Sequence, residues 1–235
     1  MDNFNQFGFT QSSPALDNTL TKVMRRVYLK MFLALLVTSA TAFFVVGQQS
    51  FLMYMLTHSW VYWGLLIAQI VMVISLSGAI HKISSGVASL LFYLYSVLTG
   101  VVFSVILIAY TGSSVAQTFL ITAGVFGAMT IYGYFTKNSL ARFGSFLYMA
   151  LIGLLICIVI NIFLASSTMD WIISFVGVGI FIGLTAWDTQ KIKQMIMMDG
   201  GANTGKIATL GALSLYLDFI NLFLYLLRFF GASRD

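Results

Sequence analysis

The fold of this chain is decided by residues 207–230, IATLGALSLYLDFINLFLYLLRFF. Most of these residues are apolar, and a helix of about 20 such residues is long enough to cross the hydrocarbon core of a membrane. Asp218 lies in the middle of the run and Arg228 near its end. The stretch therefore predicts a membrane-spanning helix that carries a carboxylate near the centre of the bilayer.

The composition of the whole chain indicates that its other segments also lie in lipid. Of 235 residues, 60% are apolar and only 8% are charged, whereas about a quarter of the residues in soluble domains are charged. A soluble protein of this size could not bury so much apolar surface, which excludes an ordinary soluble enzyme. We attribute the net charge of +5 to basic residues at the membrane surface, and we expect no nucleic-acid partner. The single Cys157 supports neither an intramolecular disulfide nor a Cys-based metal motif.

Apolar runs recur along the chain at the length of a membrane span. Seven runs qualify, at 28–47, 60–80, 87–109, 116–135, 144–164, 171–188 and 207–230. They predict an all-α integral membrane protein with seven transmembrane helices. Residues 1–24, rich in Asn, Gln, Ser and Phe, predict a flexible cytoplasmic N-terminal tail, and residues 25–235 form the seven-helix transmembrane domain.

The basic residues predict the orientation of the chain. Ten of the twelve fall on one side of a seven-span arrangement: Lys22, Arg25, Arg26, Lys30, Lys82, Lys137, Arg142, Lys191, Lys193 and Lys206. Only Arg228 and Arg234 fall on the other side. Because basic loops stay in the cytoplasm, we expect a cytoplasmic N-terminus and an external C-terminus. A six-span alternative with a re-entrant last segment would place the C-terminus inside.

Two carboxylates are the candidate functional groups. Asp218 has no basic neighbour nearby on its own helix, while Asp188 ends the sixth predicted span, three residues before Lys191. An Asp188–Lys191 pair would give Asp188 a purely structural role. If the sixth and seventh helices pack together, as Gly177, Gly179 and Gly183 would allow, the two carboxylates face each other and share a proton. Such a pair can sense pH, bind a divalent cation or activate water.

The seventh span also carries a polar stripe. Its members follow one another at steps of four, three, four and three, which places them on one helix face: Ser214, Asp218, Asn221, Tyr225 and Arg228. Calcium prefers six to eight oxygen ligands. Asp188 and Asp218, with Asn221, Thr185, backbone carbonyls and water, therefore predict a weak, transient calcium site rather than a resident cofactor. Ser214, Asn221, Tyr225 and Thr185 are the candidate lining of an ion pathway.

An intramembrane aspartyl protease is the enzymatic alternative, since that family also places two Asp residues on neighbouring helices. It uses a Tyr-Asp and a Gly-x-Gly-Asp motif, whereas this chain has Trp187-Asp188 and Leu217-Asp218. The expected Pro-Ala-Leu element is missing, because the only proline is Pro14. We therefore do not expect an enzyme.

At these residues the chain resembles the Bax inhibitor-1 (transmembrane BAX inhibitor motif) family, particularly its bacterial members. The resemblance covers roughly residues 22–231. Its specific blocks are GLTAWDTQKIK at 183–193 and LSLYLDFINLFLYLLRFFG at 213–231, with weaker support from residues 132–154, which begin YGYFTKNSL.

The resemblance implies a bundle in the bacterial inner membrane, with the last helix at the centre of the other six. It also implies a pH-sensitive calcium leak governed by an aspartate pair, which matches Asp188 and Asp218. Some bacterial relatives bind membrane quality-control proteases, so a non-conducting regulator that binds membrane proteins or such a protease is the alternative. One departure concerns the family's second helix, where an Arg latches the pair. Here that span has no Arg or Lys before Lys82, and Gln69 is its strongly polar residue.

Overall fold

The computed structural model describes residues 14–232. These residues form eight helices, with no strand among them: α1 (Pro14–Gly47), α2 (Gln49–Thr57), α3 (Ser59–Ala79), α4 (Ser85–Ala109), α5 (Gly112–Phe135), α6 (Ala141–Leu164), α7 (Ser167–Asp199) and α8 (Thr204–Phe230). All except α2 are long and apolar enough to cross a membrane. The predicted all-α membrane fold with seven spans is confirmed.

Helix α8 crosses the bundle completely. Near its start, the Lys206 ammonium donates to the carbonyl of His81, 3.2 Å away in the turn between α3 and α4. Just beyond its end, the carbonyl of Ala232 accepts from the Thr111 amide at 3.0 Å in the turn between α4 and α5. These two turns lie at opposite ends of α4. The six-span alternative with a re-entrant last segment is therefore wrong.

Two helix boundaries differ from the prediction. Helix α1 begins at Pro14, so residues 14–24 are helical rather than part of a flexible tail, and residues 1–13 of that tail lie outside the described residues. Leu20, Val23 and Met24 in this extension are buried, and their spacing of three and one follows one helical face. Helix α7 continues eleven residues beyond the predicted end at 188, because Ile192 and Ile196 are buried one turn apart in the core.

The short helix α2 was not predicted as a separate element. It follows α1 after one residue and packs against α1 and α3. Only Leu52 and Met55 of its nine residues are buried. A segment of this length cannot cross a bilayer, and its one-sided burial is typical of a helix that lies along the membrane interface.

Helix α8 is the central helix, as predicted. It packs against α7, α1, α5 and α4, and its side chains are the most extensively buried of all the spans. Helix α3 packs mainly on α4, and α6 packs on α7. The expectation that all six other spans surround α8 is therefore corrected: four form the inner ring and two lie outside it. Tyr216 of α8 is fully buried at the centre, where its hydroxyl shares a 2.6 Å hydrogen bond with Thr38 of α1.

Close helix contacts depend on glycine at specific positions. A Cβ atom on Gly177 of α7 would lie 2.8 Å from the Tyr225 ring of α8, so this residue permits the predicted approach of the two helices. Gly183 instead faces Leu147 and Phe143 of α6, and Gly179 has no neighbour within 4 Å of such an atom. The prediction that all three glycines face α8 is therefore wrong for Gly183 and Gly179, because the three residues point in different directions around α7.

The turn between α7 and α8 is short and is closed by hydrogen bonds. Gly200 and Gly201 adopt φ values of 60° and 101°, which side-chain-bearing residues rarely adopt. The Asp199 carboxylate then accepts from the Asn203 amide at 2.6 Å and from its side-chain nitrogen at 2.9 Å. This turn fixes the register of α7 against α8 and so sets the relative heights of their polar side chains.

Candidate functional site

Asp188 and Asp218 lie at similar heights on the two arms of the α7–α8 hairpin. Asp188 is eleven residues before the end of α7, and Asp218 is fourteen residues after the start of α8. At a rise of about 1.5 Å per residue these separations are about 17 Å and about 21 Å from the connecting turn. The sequence placed Asp188 at the end of a span and Asp218 in the middle of one. Because α7 extends beyond its predicted end, most of this difference in depth disappears.

Both carboxylates are buried. Asp188 is 7% exposed and Asp218 is 4% exposed, and the two groups lie within electrostatic range of each other. One oxygen of each, Oδ1 of Asp188 and Oδ2 of Asp218, is buried without a hydrogen-bond partner. Buried polar atoms are nearly always hydrogen-bonded, and an unpaired buried charge is strongly unfavourable. A shared proton or a bound cation would stabilise this pair.

Two further ionisable side chains interact electrostatically with the pair, namely Lys191 of α7 and Tyr148 of α6. The Lys191 ammonium lies 4.8 Å from the centre of the Trp187 ring and 6.0 Å from that of Tyr148. In residues 14–232 the one ion pair joins Arg228 to Asp170, at 3.9 Å. Asp188 and Lys191 therefore form no direct ion pair, although Lys191 stays within electrostatic range of Asp188, because its ammonium lies over the aromatic rings.

Thr185 and Ser214 each lie about one helical turn before one of the carboxylates, on α7 and α8 respectively. The Thr185 hydroxyl is fully buried and donates to the Phe181 carbonyl at 2.7 Å, while its own carbonyl accepts from the Thr189 hydroxyl at 2.8 Å. Ser214 is half-buried. Since a hydroxyl that donates still has acceptor capacity, Thr185 can offer an oxygen beside Asp188.

The polar stripe of α8 faces two different surroundings. Tyr225 is buried against α7, where its ring stacks on Phe181 with centroids 5.9 Å apart. Asn221 and Arg228 instead line a cavity of about 460 Å³ between α3, α4 and α8, together with Gln69. Neither carboxylate is among the lining residues of this cavity. The structure therefore separates Asn221 from the pair with which the sequence grouped it.

The geometry of α8 explains this separation. The five residues of the stripe span about 80° around the helix at 100° per residue. Asp218 and Tyr225 occupy one edge of this arc and Asn221 and Arg228 the other. Residues spread over an arc of that width can contact two different neighbouring helices. The sequence does not specify which residues of the arc face which neighbour.

The sequence reasoning missed Tyr148, which approaches the carboxylates from α6. Its neighbour Gly144 has no side chain, and any Cβ atom there would collide with the Trp187 indole. The same Trp187 ring packs edge-on against Tyr148, with centroids 5.3 Å apart. The only signal for Tyr148 in the sequence was its position inside the block 132–154, since an isolated tyrosine in an apolar span has no distinctive spacing.

The described residues contain no group of three or more His, Cys or Asp side chains that could hold a metal ion. Two carboxylates and a few neutral oxygens offer fewer charged ligands than tight calcium sites usually have. The donor set is of the hard-oxygen type that calcium accepts, and it suits brief occupation by a passing cation better than a resident ion.

Comparisons with known proteins agree with this architecture. The family described as inhibitor of apoptosis-promoting Bax1 matches residues 20–235. Inner membrane protein YbhL of Escherichia coli is 47% identical over 218 residues, which cover 92% of this chain and 93% of that protein.

Two further bacterial relatives align over nearly their whole lengths. RP147 of Rickettsia prowazekii is 40% identical and covers 96% of both chains. A protein of Borreliella burgdorferi is 42% identical over 91% of this chain and 93% of its own. Together with the seven apolar helices, the similarity to an inner membrane protein supports an integral inner-membrane location. The chain is a member of the Bax inhibitor-1 family.

Proposed function

We propose that this protein is a pH-sensitive, calcium-permeable leak, gated by a proton shared between Asp188 and Asp218. The observation that carries the proposal is the pair itself: two buried carboxylates on neighbouring antiparallel helices, each with an oxygen that lacks a hydrogen-bond partner. Two carboxylates at close range in a low dielectric do not both ionise easily. The occupancy of the shared proton therefore depends on pH, and a permeant cation competes with that proton for the same oxygens.

The surroundings of the pair support a gate rather than a catalytic centre. Within residues 14–232, Lys191 and Tyr148 are titratable groups in electrostatic contact with both carboxylates. The positive charge of Lys191 lowers the local affinity for a cation. Weak binding is what conduction requires, because an ion that is held tightly cannot leave. The protein acts on calcium as its transported ion, uses no cofactor and catalyses no reaction.

The test is calcium flux from liposomes that contain the purified protein, measured across a pH series. The wild-type protein conducts calcium with a pH-dependent rate. The Asp218→Asn variant keeps its fold but has a flat pH profile, because an amide cannot exchange the shared proton. Asp188→Asn behaves in the same way, since each residue is half of the pair.

A matched control separates the pair from the other acids of the chain. Asp17 is exposed near the start of α1, so Asp17→Asn makes the same chemical change away from the site and leaves the profile unchanged. An unaltered pH profile in both site variants would show that the pair is not the gate. Absence of calcium flux at every pH would overturn the leak.

The second candidate function is a non-conducting regulator that binds membrane proteins or a membrane quality-control protease. Helix α3 favours it, because α3 packs mainly on α4 and leaves most of its apolar surface exposed. Under this alternative, replacing Ile67, Ile70 and Ile74 on this surface, all exposed, with smaller Ala residues weakens a direct partner contact. The protease alternative instead predicts cleavage of a membrane substrate that is lost when either Asp is changed.

A further inference from the structure

A second cavity adjoins the cavity around Gln69, with which it shares Phe103, Ile106 and Ile220, but its lining is almost entirely apolar. It has a volume of about 620 Å³ and lies between α1, α4, α5 and α8. Of its seventeen lining residues, only Thr38 and Ser39 carry a polar group, and none carries a charge. The Thr38 hydroxyl is already bonded to the carbonyls of Ala34 and Ser96 and to Tyr216. The cavity therefore offers little to water, and large apolar cavities stay dry unless an apolar molecule fills them.

The cavity extends over the depth of one membrane leaflet. It begins beside Gly112, the first residue of α5, and Val46, near the end of α1. Its deepest lining residues, Leu35 on α1 and Phe219 on α8, lie twelve and eleven residues from the ends of their helices. At about 1.5 Å per residue these depths are about 18 Å and about 17 Å. One half of the hydrocarbon core measures about 15 Å.

The cavity is reached from the side. Helix α1 packs on α4 and α8, and α5 packs on α7 and α8, but within residues 14–232 α1 and α5 do not form a packed pair. Phe43 of α1 and Leu120 of α5 line the cavity and are also exposed on the outer surface of the bundle. The gap between these two helices therefore opens toward the surrounding hydrocarbon.

We propose that this cavity binds an acyl chain of a phospholipid from the leaflet at the α4–α5 end of the bundle, with its headgroup near Gly112. A cavity of about 150 Å³ holds one benzene molecule, so 620 Å³ has room for the whole length of a chain that crosses one leaflet. We infer a lipid as the occupant because the cavity opens laterally, is as deep as one leaflet and has an apolar lining. The site is independent of the proposed leak, since it rests on none of the residues of the carboxylate pair.

The chain would contact the central helix directly. Phe223 of α8 faces the cavity, stacks on Phe103 of α4 and is only 5% exposed. Lipid in the annulus around the protein cannot reach a side chain buried to this extent. Contact between Phe223 and a lipid chain therefore requires that the chain enter the bundle.

The test uses quenching of tryptophan fluorescence by phospholipids brominated near the middle of one chain. The four native tryptophans are replaced by phenylalanine, and Phe223→Trp then reports from inside the cavity. Two controls bracket the result. Phe175→Trp lies on the lipid-facing surface, 63% exposed, and Phe181→Trp is 5% exposed but lines neither cavity.

If the chain enters, Phe223→Trp is quenched at least half as strongly as Phe175→Trp, and adding Ala116→Phe at the mouth of the cavity reduces the quenching. Quenching no stronger than that of Phe181→Trp would overturn the proposal. Phe219→Trp, at a position that also lines the cavity and is 3% exposed, repeats the measurement if the first variant does not fold. A final control adds brominated free fatty acid to vesicles of unbrominated phospholipid. If the free fatty acid quenches the tryptophan and the brominated phospholipid does not, the site binds a free acid, which would also contradict the proposal.

Discussion

Single hydroxyl groups in the interior of the bundle are mostly satisfied by their own helices. The hydroxyls of Ser96, Thr99 and Thr122 each donate to the carbonyl four residues earlier, at 2.7–3.0 Å. Lys30 of α1 instead donates to hydroxyls on two other helices, Ser89 of α4 and Thr209 of α8, with the latter 3.1 Å away. Within residues 14–232, the buried side-chain atoms without a partner are the hydroxyls of Tyr28, Thr118 and Thr130, the amide nitrogen of Gln69, and one carboxylate oxygen each of Asp188 and Asp218. The two carboxylates differ from the others because they can carry a charge, which makes a buried oxygen without a partner more costly.

The hydrogen bond between Thr38 and Tyr216 allows a measurement of how much one buried hydrogen bond contributes to the stability of the bundle. Tyr216→Phe removes the 2.6 Å bond and keeps the ring, so we expect a loss of about 1 kcal/mol in the free energy of unfolding. Titration with sodium dodecyl sulfate in mixed micelles measures this quantity. Tyr132→Phe is the control, because Tyr132 is exposed, and it leaves the unfolding free energy unchanged. An equal effect of both changes would mean that the Thr38 bond contributes nothing specific.

Among the helices, α5 and α7 approach so closely that their backbones touch. A Cβ atom on Gly133 would collide with the carbonyl oxygen of Ala186, only two residues before Asp188. The sequence does not reveal this role, because Gly124, Gly127 and Gly133 all belong to the same apolar helix. At Gly124 and Gly127 a Cβ atom would have no neighbour within 4 Å.

This difference gives a matched pair of substitutions on one helix. Gly133→Ala forces α5 away from α7 and destabilises the protein by about 1–3 kcal/mol, the range for overpacked interiors. Gly127→Ala is neutral or stabilises by up to about 1 kcal/mol, because alanine favours helix and meets no neighbour there. The same detergent titration measures both variants, and an equal response to the two changes would contradict the close contact.

The helices also show which features of the fold could be predicted from the sequence and which could not. Seven spans follow from hydropathy alone, because each apolar run is long enough to cross a bilayer. The sequence did not predict the start of α1 or the end of α7. Helix α1 begins before its apolar run and α7 continues beyond its own, and Val23 and Ile196 in these extensions are buried. Burial of Asp218 was predictable from its position inside an apolar run. Burial of Asp188 depends on the continuation of α7 beyond that run, and the separation of Asn221 depends on which neighbours α8 packs against.

For the molecule as a whole, the bundle has two unlike ends. One carries the turn between α5 and α6 with Lys137, the turn between α7 and α8, and Lys206. The other carries α2 and the turn between α4 and α5, with no lysine or arginine in either. This asymmetry predicts that the basic end faces the cytoplasm.

Cysteine labelling in intact and permeabilised cells tests the orientation. In a Cys157→Ser background, Ser113→Cys and Ala232→Cys react with a membrane-impermeant maleimide from outside. Ser139→Cys reacts only after the membrane has been permeabilised. All three positions are exposed, so differences in reactivity report the side of the membrane. The reverse pattern would place the basic end outside.

The tight turn that closes the α7–α8 hairpin has a mechanical consequence for the carboxylates. Asp188 and Asp218 lie on two helices whose connecting turn is closed by hydrogen bonds between Asp199 and Asn203. Farther from this turn, the two helices are in close contact where Gly177 of α7 meets the Tyr225 ring of α8. The hairpin is thus constrained on both sides of the pair, and we expect its two arms to move as one body. A change in access to the carboxylates then comes from displacement of the outer helices against this body, while the spacing between the two acids stays constant.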